Sequence, residues 1–140
     1  MGKEEKIRNL YLFLIFLLAF ILRIFLNLQN SFVIGGDSQK YLIVADSLVK
    51  GYGFAWAKGQ PTNFLTPGYP FFLAGIKICF GSNIFYIQLA QALLGAFSCL
   101  FVYFIALEIF NKRIANVSLW LMVFNYFQIR QCGIVYPETL

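Results

Sequence analysis

One of the six acidic side chains, Asp37, could do chemistry together with a few scattered cations. The carboxylate of Asp37 could accept the proton of an attacking hydroxyl, as a general base does. Cations can stabilise the charge of a departing phosphate and so replace a general acid. Four candidates could face such a phosphate: Arg23, Lys40, Lys58 and Arg130. These residues predict group transfer from a phosphate, with Asp37 as the base.

The same residues also have a simpler interpretation, and residue types alone do not decide between the two. Asp37 can cap a helix by accepting bonds from free backbone N–H groups. Lys40 and Lys58 can be solvated, and Arg23 can anchor a membrane helix by extending its charge towards the headgroups.

Composition excludes several other kinds of site. The chain has no histidine, so His-containing metal clusters and Ser-His-Asp catalysis are unavailable. The three cysteines, Cys79, Cys99 and Cys132, lack zinc-like spacing and are interpreted as reduced packing residues. No cofactor and no metal site are predicted.

The setting of these residues is a membrane. Of the 140 residues, 60% are hydrophobic and only 12% are charged. The net charge is +5, but the basic residues are scattered beside apolar runs, which is typical of topology signals. No nucleic-acid partner is expected. For an acid at the outer membrane surface, the predicted reaction is sugar transfer from a lipid-linked phosphate.

The first apolar run predicts a transmembrane helix over about 10–26, just long enough to cross a bilayer of about 30 Å. A cleavable signal peptide is the alternative, but no small-x-small cleavage site follows the run. Basic residues before the helix place the N-terminus in the cytoplasm. The following loop, 27–83, is then external.

Two helices are predicted within this loop. The first, over 38–50, begins after Asp37 and ends before Gly51, which can adopt the left-handed conformation beyond a helix. The second, over 67–80, follows Thr66-Pro67 and would extend only about 21 Å, too short for a normal crossing. Both are expected to lie at the membrane interface. The stretch from 52 to 66 is predicted to be a loop.

Two more spans follow, over 84–107 and about 114–130, joined by the basic turn at Lys112-Arg113. The predicted fold class is an all-α integral membrane protein with about three transmembrane helices and two interfacial (juxtamembrane) helices. Polar and small residues form one stripe on the 84–107 helix: Gln88, Gln91, Gly95, Ser98 and Cys99. The stripe either packs against a neighbouring helix or lines a polar cavity. An odd number of spans and the abrupt end predict the N-terminal part of a larger protein.

The order and spacing of several short motifs resemble a known family. The motifs are Gly36-Asp37-(x)3-Tyr41-(x)3-Ala45-(x)2-Leu48-(x)2-Gly51-(x)-Gly53-Phe54, Pro61-Thr62, Thr66-Pro67-Gly68-Tyr69-Pro70, the Gln-Ala-Leu-Leu-Gly run within Gln88–Arg113, and Pro137-Glu138-Thr139-Leu140. Together with Arg23 they resemble the GT-C glycosyltransferases, in particular the dolichyl-phosphate-mannose–protein mannosyltransferase-like branch that includes the aminoarabinose transferases of lipid A. Ser38 stands where members often have a second acid.

The resemblance implies a hexosyl- or pentosyltransferase that uses a polyprenyl-phosphate sugar and a protein or glycolipid acceptor on the extracytoplasmic side. It maps the family's catalytic base onto Asp37 and adds Tyr41, Tyr69 and Glu138 as substrate-binding candidates. It also implies a multi-pass protein of the cell (inner) membrane in contact with lipid. This portion alone is expected to be inactive. The alternatives are a non-catalytic membrane subunit and a lipid-linked-sugar carrier or transporter fragment.

Overall fold

The computed structural model describes residues 2–29 and 37–135, without the side chains of Lys3, Gln29 and Asp37. Within these residues, six helices and one hairpin follow one another: α1 (Lys3–Gln29), α2 (Asp37–Val49), β1 (Ala55–Ala57), β2 (Gln60–Pro61), α3 (Gly68–Phe80), α4 (Ile84–Ile109), α5 (Lys112–Val123) and α6 (Tyr126–Gln131).

Two of the described helices are long and apolar enough to cross a membrane, over Glu4–Leu28 and Ile84–Ile109. Helices α1 and α4 pack against each other, and α5 and α6 pack against this pair. The shared core consists mainly of small and branched side chains: Leu12, Ile15, Ala19, Ala96, Cys99, Tyr103, Ala106, Ala115, Leu119 and Val123. Small residues let the helix backbones approach closely, as membrane helices require. The outward faces carry large exposed apolar residues such as Phe13 and Phe101.

Helices α2 and α3 form a smaller unit at the end of the bundle where α1 ends and α4 begins. They pack on each other, and α3 also contacts α4. Their core contains Ala45, Tyr69, Leu73, Ala74, Ile76, Ile87 and Val135. Helix α2 ends at Val49, and Gly51 just beyond it has a φ of 75°, in the left-handed region. Neither helix was expected to span the membrane, and both are short, with 13 residues each.

The stretch predicted to be a loop contains a small antiparallel hairpin instead. Strand β1 pairs with β2, with Ala55 opposite Pro61 and Ala57 opposite Gln60. Gly59 has a φ of 79°, which permits the tight turn between them. The prediction was wrong here because two strands of three and two residues are too short to show a period in sequence. The chain is therefore mostly helical rather than all-α.

The segment 114–130, predicted as one helix, is divided in two. Helix α5 ends at Val123, and Asn125 then caps α6 by accepting a bond from the Gln128 N–H at 3.1 Å. Asparagine favours this cap over a helix interior because its side chain replaces a backbone acceptor. With 12 residues, α5 is about 18 Å long. Helix α3 likewise begins one residue later than predicted, with Pro67 rather than Thr66 at the N-cap.

Candidate functional site

The candidate site lies at the first turn of α2, which begins at Asp37 at the end of the bundle that holds the hairpin. Backbone at this position is described, whereas the carboxylate is not. Two of the predicted residues meet one turn later, where the rings of Tyr41 and Tyr69 make an edge-to-face contact with centroids 5.2 Å apart. Ser38, on the same turn, is buried. The start of α2 is thus fixed against α3 by aromatic packing.

Tyr69 is held in place by α4 of the helix bundle. Its side chain is only 2% exposed, and its hydroxyl accepts a hydrogen bond of 3.0 Å from Nε2 of Gln91 on α4. The same amide also donates to the backbone oxygen of Ile134 at 3.1 Å. Tyr69 therefore positions Tyr41, which is half-buried, rather than presenting its own ring to a ligand.

Lys40 projects from the same turn towards the segment that leads into α3. Its ammonium lies 5.4 Å from the centre of the Phe64 ring, a cation–π distance. Phe64 itself is 72% exposed, so this pair lies at the outer surface of the smaller unit. Lys40 is the cation that the structure places nearest to Asp37 along α2.

Arg23 occupies a different place, inside the bundle. Its side chain is completely buried between α1, α4 and α6. The guanidinium donates to the Ala19 carbonyl at 3.0 Å, to Sγ of Cys99 at 3.4 Å and to Oε1 of Gln128 at 3.2 Å. Among the side chains that the structure describes, no carboxylate pairs with it. Contact with a donor phosphate would require these protein partners to move apart.

Gly95 makes room for that guanidinium. A Cβ added at Gly95 would lie 2.8 Å from Nε of Arg23 and 2.8 Å from Sγ of Cys132. The polar stripe on α4 therefore packs against protein over most of its length, since Gln88 also donates to the Gly133 carbonyl at 3.1 Å. Ser98 differs, because its hydroxyl donates to Leu94 of its own helix.

The remaining candidates are Lys58, Arg130 and Glu138. Lys58 is exposed in the hairpin turn and lines a shallow pocket with Asp46 and Lys50, at least about 14 Å along α2 from Asp37. Arg130 is exposed on α6. Glu138 lies outside the described residues, although Val135 is buried in the α2–α3 core.

Sequence reasoning missed one ion pair that joins the two short helices. Nζ of Lys77 on α3 contacts Oδ1 of Asp46 on α2 at 2.5 Å. The lysine side chain is 5% exposed and that of the aspartate 45%. The sequence signal for this pair is Lys77, the single charged residue in the otherwise apolar 67–80 segment. A lysine that is buried in such a helix requires a partner. The pair fixes the two helices to each other, about 14 Å along α2 from Asp37.

Comparison with known proteins gives one family match. Residues 61–139, more than half of the chain, match the family model described as dolichyl-phosphate-mannose-protein mannosyltransferase. The matched stretch begins within β2 and extends beyond α6, so it includes the candidates Tyr69, Arg130 and Glu138. No curated protein and no solved structure matches the chain. Asp37 and Arg23 precede the matched stretch.

Proposed function

The chain belongs to the dolichyl-phosphate-mannose-protein mannosyltransferase family, and on that ground we propose that it transfers a sugar from a polyprenyl phosphate to a hydroxyl acceptor. The family is one of membrane glycosyltransferases, and the two long apolar helices fit that setting. The family match is the observation that carries this proposal. The acceptor is a protein or a glycolipid on the extracytoplasmic side.

Asp37 is the proposed general base. Its carboxylate takes the proton of the acceptor hydroxyl while the acceptor oxygen bonds to the anomeric carbon of the sugar. The bond from that carbon to the phosphate oxygen breaks, and its electron pair leaves with the polyprenyl phosphate. This role rests on the resemblance of the first external loop and on the position of Asp37 at the first residue of α2, beside Lys40 and Tyr41.

Lys40 is the proposed cation for the phosphate, because it lies on the first turn of α2 at the outer surface. A cation there stabilises the charge that develops on the leaving group. Tyr41 contacts the substrate, and Tyr69 holds Tyr41 in place. Lys58 and Arg130 are proposed to contact the outer parts of the donor. Arg23 is a positioning residue that holds α4 and α6 against α1.

The proposed orientation places α2, α3 and the hairpin outside the cell (inner) membrane. Arg8 and Lys112 line one cavity, so the basic ends of α1 and α5 lie at the same end of the bundle. Basic flanks favour the cytoplasm, which gives a cytoplasmic N-terminus. The third crossing is made by α5 and α6 together.

The experiment that tests the function uses the product of the intact natural gene, reconstituted in lipid vesicles. A labelled polyprenyl-phosphate sugar is supplied in one arm and the matching nucleotide sugar in the other. Label should reach protein or glycolipid only from the polyprenyl donor. Transfer from the nucleotide sugar alone would exclude the proposed donor. Binding without transfer would favour the carrier alternative.

A further inference from the structure

A cavity of about 550 Å³ lies at the end of the bundle opposite the candidate site. It opens where α1 begins, α4 ends and α5 begins, and its lining is mostly apolar with two cations and one carboxylate: Glu4, Ile7, Arg8, Tyr11, Tyr103, Lys112 and Asn116. An adjoining hollow of about 420 Å³ shares Glu4, Arg8 and Lys112 with it and adds Gly2 and a second carboxylate, Glu5. The two cations thus face a common space at the rim of the helix bundle.

An apolar groove continues from this cavity along α5. It has a volume of about 430 Å³ and is lined by Asn116, Val117, Trp120, Leu121 and Phe124. Asn116 belongs to both spaces, so the basic cavity and the groove meet there. From Asn116 to Phe124 the groove follows α5 for about 12 Å. The rings of Trp120 and Phe124 stack along it at 5.7 Å.

The junction also holds an unused acceptor. Oδ1 of Asn116 is buried, and no hydrogen-bond partner for it is found among the described residues. Buried polar atoms are almost always paired, because leaving one unpaired costs its desolvation. A ligand with a hydroxyl donor at this junction would satisfy Asn116 once the side chain turns its oxygen towards the cavity.

We propose that this surface binds an anionic phospholipid with a hydroxylated headgroup, of the phosphatidylglycerol type. Arg8 and Lys112 bind the phosphate, a headgroup hydroxyl donates to Asn116, and one acyl chain lies in the groove beside Trp120. Basic pockets between membrane helices bind anionic headgroups in this manner. The adjacent apolar groove favours a lipid over a soluble phosphate. The inference is independent of the proposed transferase activity.

Trp120 supplies the test, because it lines the groove and the 140-residue chain has two tryptophans, of which Trp56 lies in the hairpin. In a Trp56→Phe background, the protein is placed in nanodiscs that contain a small fraction of lipid brominated on its acyl chains. Bromine quenches tryptophan on contact, so quenching reports occupancy of the groove. Brominated phosphatidylglycerol is expected to quench Trp120 at a lower fraction than brominated phosphatidylcholine.

Variants then distinguish binding at this site from attraction by the general surface charge. Arg8→Gln and Lys112→Gln should each weaken the phosphatidylglycerol preference roughly fivefold. Lys112→Arg should retain it, and Arg113→Gln is the matched control, because Arg113 follows Lys112 but does not line the cavity. Equal quenching by the two headgroups would overturn the proposal. An equal loss in Arg113→Gln and Lys112→Gln would overturn it too. Circular dichroism verifies that each variant is folded.

Discussion

Alanine at Gly95 tests how closely the buried arginine packs in the bundle. The new Cβ would lie 2.8 Å from Nε of Arg23, 3.2 Å from its Cδ and 2.8 Å from Sγ of Cys132. Real Cβ atoms do not approach other heavy atoms this closely, so a neighbour must move. Arg23 cannot move without loss, because its guanidinium is bonded to Cys99 and Gln128. We expect α4 to separate from α1 and α6 at this level.

The magnitude follows from a comparison with a second glycine. Gly75 is also inside a helix, α3, but a Cβ there would meet nothing within 4 Å. Gly75→Ala should therefore stabilise the protein by about 0.5–1 kcal/mol through helix propensity alone. Gly95→Ala has the same gain but adds the cost of overpacking, typically about 1–3 kcal/mol. The free energies of unfolding of the two variants should differ by that amount.

Unfolding in detergent micelles, followed by circular dichroism, measures this difference. A double variant adds a further arm: Cys132→Ala removes one of the two close contacts and should recover part of the stability lost in Gly95→Ala. If Gly95→Ala and Gly75→Ala shift stability equally, the close approach of α4 to Arg23 does not exist in the protein. The bundle would then need another explanation for Gly95.

Three other predictions follow from the smaller unit and the topology. Asp46→Asn should destabilise the protein by roughly 1–3 kcal/mol in the same unfolding assay, because it leaves the Lys77 cation buried without its partner. The double variant with Lys77→Met should recover most of this loss. An additive loss in the double variant would contradict the pairing. Cysteines introduced at positions 58 and 112, with the native cysteines replaced, should react differently with an impermeant reagent in intact cells; equal labelling would contradict the proposed orientation. A photoreactive polyprenyl phosphate should label 37–50 and 64–75, and labelling confined to 114–127 would place the donor elsewhere.

Two kinds of feature could be predicted from the sequence. One is set by a long hydrophobic pattern, and the other by a backbone conformation that few residue types adopt. The family is confirmed, and the 84–107 segment lies within a long apolar helix, Ile84–Ile109, as its uninterrupted hydrophobicity indicated. Gly51 adopts the left-handed conformation expected of it because few other residues do so without strain. For such features, the local sequence is sufficient to predict the structure.

Features that depend on distant partners were not predictable. The interpretation of Arg23 as an anchor reaching the headgroups differs from its enclosed position, which is set by Cys99, more than seventy residues away, and by Gln128, more than a hundred away. The pairing of Lys77 with Asp46 likewise joins two helices across the hairpin. Local periodicity carries no information on such contacts.

Asn125 shows a third kind of difference, in which a polar residue divides a segment that was predicted to be one helix. The predicted span over about 114–130 places it inside a helix, whereas its side chain caps α6. Asparagine favours the cap, and after the break α6 packs against α1.

The measurement that tests the central claim most directly is the rate of sugar transfer by an Asp37→Asn variant of the intact natural gene product. Asparagine has nearly the same size and also favours a helix start, so expression and helicity should match the parent. Loss of the base should slow transfer from the polyprenyl phosphate about 10²–10⁴-fold, while Asp37→Glu, which keeps a carboxylate, should retain part of the rate. An Asp37→Asn protein that is folded and transfers sugar at the parent rate would contradict the account, and Asp37 would then only begin a helix.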